Sequence, residues 1–192
     1  MRESIVAYAT IARDVVLTPV AFFRRMSITE GIRQATYFAL IVYFIRCALY
    51  FLLSYRQGFF FTPLLQATAV ITVPMAVFLA LAPFLFLIIL YSQSIFLYRI
   101  SNFFGGAANL EAAYKVLAFV LYLSVFQFFP YINIVFHIYA ILLLIIGIRE
   151  VFNVDWISSA LALFFSFVFT AFLYVLLFFV PAYLAKIILF RM

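Results

Sequence analysis

The stretch AAYKVLAFVLYLSVFQFFPYINIVFHIYAILLLIIGI, residues 112–148, decides the fold class, because it contains one charged side chain, Lys115. As a single α-helix it would extend about 55 Å, far beyond a hydrocarbon core of about 30 Å. Pro130 interrupts it, and proline disfavours a continuing helix. The stretch therefore predicts a tight hairpin of two membrane spans, 112–129 and 132–148.

The composition of the whole chain also predicts a membrane protein. Of its 192 residues, 70% are hydrophobic and 9% are charged, whereas a soluble domain is about 45–50% apolar and about a quarter charged. The net charge of +6 does not indicate nucleic-acid binding, because the basic residues stand at the ends of apolar runs. There they act as topology signals and headgroup contacts. We therefore expect membrane lipids and other integral membrane proteins as partners, and no nucleic acid.

Residues 34–192 are predicted to form an all-α bundle of five membrane spans with a short interfacial tail. The other three spans are placed at 34–54, 66–92 and 157–180. The apolar run at 64–98 exceeds the roughly 20 residues of a perpendicular crossing. Pro74 and Pro83 therefore predict kinks, with a re-entrant hairpin as the alternative, and Ser92–Ser94 is expected to emerge from the bilayer.

The segment 1–33 is predicted to be an amphipathic, interfacial N-terminal segment. Thr18-Pro19 is typical of a helix start, and Ser27-Ile-Thr-Glu30 matches a capping box that opens the first span. An apolar face beside a basic pair suits a helix lying in the headgroup layer. The alternative is a helix packed on the protein's own cytosolic face. The residues of this face and basic pair are Phe22, Phe23, Arg24 and Arg25.

Five spans place the two chain ends on opposite sides, and the positive-inside rule selects the orientation. With a cytoplasmic N-terminus, eight basic residues lie inside and three outside. This predicts an external C-terminus, in a membrane such as the bacterial inner membrane. The inner set is Arg2, Arg13, Arg24, Arg25, Arg33, Arg99, Lys115 and Arg149, and the outer set is Arg56, Lys186 and Arg191.

His137 and Arg46 lie well inside predicted spans, where ionisable groups are functional candidates. His137 is the one histidine. It could serve as an axial haem or chlorophyll ligand, or as a neutral imidazole bonded to a neighbouring helix. Arg46 falls near mid-bilayer, where it should face protein or water, or else snorkel to an interface. Its candidate partners are carbonyls freed at Pro74 or Pro83, His137, Gln127, a partner subunit or a lipid phosphate.

No catalytic constellation is visible, so an enzyme, a cofactor and a metal are not predicted. All six acids lie in tails or loops, and the sequence has neither GxSxG nor a Cys/His cluster. Gly105 and Gly106 are predicted to form a turn that ends in Asn109, a helix cap. The acids are Glu3, Asp14, Glu30, Glu111, Glu150 and Asp155.

Taken in order along the chain, these landmarks resemble the Yip-domain family, small five-span proteins named for interaction with Ypt/Rab GTPases. The matching features are Pro19-x-x-Phe22-Phe23, the Gly105-Gly106 loop, the break at Pro130, and the stretch from Ile138-Tyr139 to Gly147-Ile148-Arg149-Glu150. The similarity covers roughly residues 17–165. It implies five spans and a cytosolic N-terminus. The short N-terminal tail is closer to the compact prokaryotic branch of the family, so GTPase binding is not carried over.

Three functions are therefore weighed from the sequence. The leading hypothesis is a non-enzymatic membrane protein of Yip-domain type, which organises the membrane by helix packing with partners or lipids. The second is an accessory structural subunit of a larger respiratory, photosynthetic or transport complex. The third is a small transporter or channel, which is supported by the broken spans at Pro74 and Pro83 with Arg46 nearby.

Overall fold

A computed structural model of the chain describes residues 2–26, 31–57, 75–128 and 132–175. Every regular element in these ranges is a helix, which confirms the predicted all-α class. The elements in chain order are α1 (Arg2–Leu17), α2 (Pro19–Arg25), α3 (Arg33–Gln57), α4 (Met75–Phe103), α5 (Leu110–Val120), a 3₁₀ helix (Leu121–Phe128), α6 (Ile132–Phe152) and α7 (Trp156–Tyr174).

Three segments of these helices are long and apolar enough to cross a membrane: Leu81–Phe103 in α4, Asn133–Phe152 in α6 and Trp156–Tyr174 in α7. The predicted span 112–129 is divided instead. Its α-helical part has 11 residues and its 3₁₀ part has 8, so neither alone reaches the roughly 20 residues of a crossing.

Helix α5 occupies the centre of the molecule. It packs against α1, α3, α4, α6 and the 3₁₀ helix, and all residues from Ala112 to Val120 are buried. By contrast, α6 and α7 expose large apolar side chains such as Ile134, Ile138 and Phe164. Such an exposed apolar surface needs to be covered by lipid or by a protein partner.

Helices α4 and α7 meet along a seam of small side chains. Ser94 and Ser101 on α4, and Ser159 and Ser166 on α7, are fully buried. The spacing of seven residues on both helices is that of left-handed helix pairs, and small residues let the backbones approach closely in lipid. Ser94 was predicted to emerge from the bilayer. It lies within the candidate span Leu81–Phe103, and its Oγ donates to the Leu90 carbonyl of the same helix at 2.7 Å.

Local signals placed several helix ends correctly. Asn109 caps α5 by accepting from the Ala112 N–H at 2.9 Å, and Gly105 adopts a φ of +87° in the turn before it. Pro19 begins α2, although the Thr18 hydroxyl donates back to the Asp14 carbonyl at 3.2 Å.

Other features predicted from the sequence differ in the structure or lie outside the residues that it describes. Pro83 lies inside α4, and α6 continues to Phe152, past the predicted span end at 148. The capping box at 27–30, Pro74, Pro130 and the tail beyond 175 lie outside the described residues.

Candidate functional site

A polar cavity lies between the first two helices and the centre of the bundle. Its volume is about 320 Å³. We call α1 and α2 the N-terminal hairpin and the cavity the hairpin pocket, because the hairpin forms one wall and the starts of α3 and α5 form the other. Its apolar lining includes Ile11, Phe22, Ala35 and Phe119, and its polar lining is Asp14, Thr18, Arg25, Gln34 and Lys115.

Lys115 is the most unusual member of the pocket, because only 5% of it is exposed. An ammonium group is costly to bury unless polar or charged groups surround it. The sequence places it on α5, the most enclosed helix, and the hairpin pocket surrounds it with a threonine, a glutamine and an aspartate. Lys115 thus brings a basic side chain to the lining of a cavity of about 320 Å³.

The beginning of α3 adds to the positive character of the pocket. The first backbone N–H groups of a helix have no partner within the helix and carry a partial positive charge. Helix α3 starts at Arg33, and Gly31, Gln34 and Ala35 line the pocket. The α3 terminus therefore borders the same space as Lys115.

The charges around the pocket favour an anion. Arg25 and Lys115 are the cations of its described lining, and Asp14 is the acid. Asp14 is already paired with Arg13, whose Nη2 lies 2.9 Å from its Oδ1. The described lining is thus positive overall, and the Gln34 side chain contains an amide donor.

Helix α2 is held in place by a close approach to α6. A Cβ atom on Gly147 would lie 2.8 Å from Val116 Cγ1 and 3.2 Å from Phe23 Cζ. Phe23 is 1% exposed, so its ring has almost no surface left for lipid. Phe22 packs edge-on against Phe119 with ring centroids 5.5 Å apart. Both predicted headgroup-layer aromatics therefore contact the protein.

The two arginines of the predicted basic pair, Arg24 and Arg25, make different contacts. Arg24 donates from Nε and Nη2 to Glu150 Oε2, at 3.1 and 2.9 Å. Glu150 also lies 3.3 Å from Arg149, whose guanidinium stacks 4.6 Å from the centre of the Trp156 ring. Arg25 instead lines the hairpin pocket. The first arginine thus fixes α2 to the end of α6, and the second contributes charge to the cavity.

Several residues of the motifs that resemble the Yip-domain family lie in contacts between helices, while Pro130 lies outside the described residues. Beside the Phe23–Gly147 contact, a Cβ on Gly106 would lie 2.8 Å from the Ser101 carbonyl and 3.0 Å from Phe152 Cδ1. The Tyr139 hydroxyl donates to the Val16 carbonyl at the end of α1. Tyr139 and Gly147 thus contact the hairpin, and Gly106 packs against the end of α6 at Phe152.

A second cavity of about 190 Å³, the membrane crevice, lies among α4, α5, the 3₁₀ helix, α6 and α7. Its lining is mainly apolar, with Gln93, Ser124 and His137 as polar groups. His137 Nδ1 lies 2.9 Å from the Asn133 carbonyl of its own helix, rather than on a neighbouring helix. Because a carbonyl only accepts, Nδ1 carries the proton, and in the neutral imidazole Nε2 is the acceptor. The Gln127 side chain lies outside the described residues.

Arg46 is half-buried on α3. Tyr43 and Cys47 on the same helix, and Tyr174 at the end of α7, lie close enough to interact with it electrostatically. Tyr174 was not among the partners predicted from the sequence. The structure does not bring Arg46 to the hairpin pocket or to the membrane crevice.

Sequence reasoning missed Asp14, Thr18, Gln34 and Lys115 as members of a site. One signal could have pointed to Lys115, since it is the one charge in the 37-residue stretch 112–148. Within the ranges 2–26, 31–57, 75–128 and 132–175, no three His, Cys, Asp or Glu side chains form a group that could hold a metal ion.

Comparison of the chain with protein-family models, with curated proteins and with solved structures gave no match. The resemblance to the Yip-domain family therefore stays a hypothesis that rests on the motifs themselves.

Proposed function

We propose that this chain is a non-enzymatic membrane protein of Yip-domain type that organises the membrane by holding the headgroup of an anionic phospholipid in the hairpin pocket. The observation that carries the proposal is the buried Lys115 inside a polar cavity at one end of the bundle. Lysine binds phosphate as a compact point charge, and a helix N-terminus favours the same kind of ligand.

The height of the pocket in the membrane supports a lipid ligand. Lys115 is next to Val116, which packs at Gly147 on α6, and the charged pair Arg149 and Glu150 follows within one helical turn. Charged residues at the end of an apolar helix mark the headgroup level. A phosphate at Lys115 would thus be level with the other headgroups, and the apolar wall at Ile11 and Phe119 would meet the first carbons of its acyl chains.

We further propose five spans, with the N-terminus in the cytoplasm and the C-terminus outside, in a bacterial inner membrane. The spans would be α3, α4, α5 with its 3₁₀ extension, α6 and α7. The excess of basic residues on the N-terminal side supports this orientation. It also places the hairpin pocket on the cytoplasmic leaflet, where the anionic surface potential draws basic groups.

The test compares the thermal stabilisation of the purified protein by phosphatidylglycerol with that by phosphatidylcholine and by inorganic phosphate. Lys115→Met replaces the amine by an apolar side chain of similar length, so the helix should stay packed. We expect phosphatidylglycerol to raise the unfolding temperature of the wild type, and this effect to fall at least severalfold in Lys115→Met and in Gln34→Leu. Arg99→Gln removes an exposed charge from α4 and should respond like the wild type.

An equal response of Lys115→Met and wild type to phosphatidylglycerol would overturn the proposal. A response to inorganic phosphate that matches the response to the lipid would show that the ligand is a soluble anion, and it would overturn the lipid assignment.

An accessory subunit of a larger membrane complex is the second candidate, and Arg46 is the observation that favours it. A guanidinium more than three turns into an apolar helix needs polar neighbours, and Tyr43, Cys47 and Tyr174 are among the groups that interact with it electrostatically. Purification in mild detergent, with sizing on a native gel, separates the candidates. A fixed-stoichiometry assembly that Arg46→Leu disrupts would support a subunit, and a lipid-bearing monomer or small homo-oligomer would exclude it.

A further inference from the structure

We propose that the N-terminal hairpin does not lie flat on the membrane but penetrates the cytoplasmic leaflet, so that its tip, Leu17 and Val20, contacts lipid acyl chains. This rests on α6 crossing the bilayer, as proposed above, but it is independent of any ligand in the hairpin pocket.

The first argument is the register of α2 along α6. The Val16 carbonyl accepts from Tyr139, Phe23 packs at Gly147, and Arg24 pairs with Glu150. As the residue number rises from Val16 at the end of α1 to Arg24 in α2, the number of the contacted residue on α6 also rises. Helix α2 therefore runs parallel to α6. Between the contacts of Val16 and Arg24, α6 advances from Tyr139 to Glu150, which is 11 residues or about 16 Å.

The second argument is depth. Tyr139 precedes Glu150 by 11 residues, which is about 16 Å along α6. Side chains in a helix point toward its N-terminus, which for α6 is the end away from Glu150. The Val16 carbonyl that Tyr139 reaches is therefore at least as deep as the Tyr139 backbone. With Glu150 at the headgroup level, the end of α1 lies near the middle of a hydrocarbon core of about 30 Å.

The third argument is the chemistry of the tip. Leu17 is 70% exposed and Val20 is 38% exposed. At the same level, α6 exposes Ile138, Ile141 and Leu142, so the apolar surface of the tip continues that of the span. Asp14, Thr18 and Arg25 line the hairpin pocket, whereas Arg13 pairs with Asp14 and Arg24 pairs with Glu150. The apolar surface of the hairpin is thus confined to its tip, with Arg13 and Arg24 one helical turn behind it.

The experiment measures the depth of a fluorophore on single cysteines, in a background where Cys47 is replaced by serine. Leu17→Cys and Val20→Cys place the label at the tip, and Ala7→Cys places it on an exposed position about 15 Å back along α1. Each protein is reconstituted in phosphatidylcholine vesicles with nitroxides either on the headgroup or deep in the acyl chain.

We expect the deep nitroxide to quench both tip labels at least twofold more than the headgroup nitroxide, with the opposite order at Ala7. A hairpin lying flat in the headgroup layer would give the same depth at all three positions and would overturn the proposal, as would tip labels that aqueous iodide quenches fully. Ile141→Cys on α6 controls for topology. Deep quenching there with shallow tip labels would refute the hairpin insertion while leaving the α6 span and the proposed function intact.

Discussion

At Gly147 the backbone of α6 comes so close to α2 and α5 that no side chain fits between them. A Cβ there would lie 2.8 Å from a methyl group of Val116, and overpacking a filled contact costs about 1–3 kcal/mol. The gain in helix propensity over glycine is below about 1 kcal/mol, so we expect the clash to dominate. Gly147→Val should destabilise the protein by about 1–2 kcal/mol, and hydrogen exchange in α2 should accelerate. Ala160→Val, at an exposed position of α7, is the matched control, and an equal effect of both would contradict this account.

Asp155 caps α7 by accepting from the Ile157 and Ser158 N–H groups, at 3.0 and 3.2 Å. Hydrogen bonds from the Ser158 hydroxyl and backbone, and then from Ile157, lower the pKa of Asp155 below its ordinary value. A group with a lowered pKa in the folded state binds its proton more readily when unfolded. Its contribution to stability is therefore complete above the ordinary carboxyl pKa of about 3.9 and is lost as the pH falls through the lower, folded value.

We expect Asp155→Asn to keep the cap and to remove part of the loss of stability below pH 4, whereas Asp155→Ala should weaken the start of α7 at every pH. Unfolding temperatures of the three proteins in detergent between pH 7 and pH 3 provide the measurement. The same acid-induced loss in wild type and Asp155→Asn would assign the titration to other carboxylates.

At the scale of elements, α2 is held against α6 by the buried Phe23 ring and by the Arg24–Glu150 ion pair. The two interactions contribute unequally to the stability of this contact. Phe23 is almost fully buried, and truncation of such a ring costs about 3–5 kcal/mol. The Arg24 side chain is 69% exposed, and exposed pairs contribute at most about 1 kcal/mol. We therefore expect Phe23→Ala to release α2 and Arg24→Gln to loosen it only slightly. Limited proteolysis of α2 in the folded protein tests this, and faster cleavage in Arg24→Gln than in Phe23→Ala would contradict it.

The α4–α7 seam relies on small size rather than on hydrogen bonds between the helices. Within the described residues, the buried Ser166 Oγ has no hydrogen-bond partner, so Ser166→Ala should be neutral or slightly stabilising. Ser166→Leu adds bulk at a fully buried position of α7 and should cost about 1–3 kcal/mol. Denaturation in mixed detergent micelles compares the two variants. A larger loss in Ser166→Ala would mean that the hydroxyl, and not its size, holds the helices together.

Local features of the fold could be predicted from the sequence because each depends on a few neighbouring residues. The Asn109 cap, the turn at Gly105 and the start of α2 at Pro19 are of this kind. The hairpin pocket could not be predicted, since it joins Asp14 to Lys115 across about a hundred residues. The change from α to 3₁₀ helix at Leu121 was also missed, because both sides of it are equally apolar.

At the scale of the whole molecule, the proposed five-span topology predicts on which side of the membrane each loop lies. In a Cys47→Ser background, a membrane-impermeant maleimide applied to intact cells should label Met192→Cys and should not label Asn153→Cys. Asn153 lies in the short exposed loop between α6 and α7, which the orientation places in the cytoplasm. Both sites should react after the cells are opened. Labelling of both or of neither in intact cells would mean an even number of spans between the loop and the end of the chain.

The pairing of Arg24 with Glu150 joins positions that are 126 residues apart. This separation affects the order in which parts of the chain can fold during synthesis. Ribosomes add roughly 5–20 residues per second, so about 6–25 s separate the synthesis of these two residues. The contacts of Val16, Phe23 and Arg24 with α6 cannot form until α6, the penultimate described helix, has been made. The beginning of the chain is thus among the last parts to settle, and a nascent chain stopped before Tyr139 would expose it to proteases.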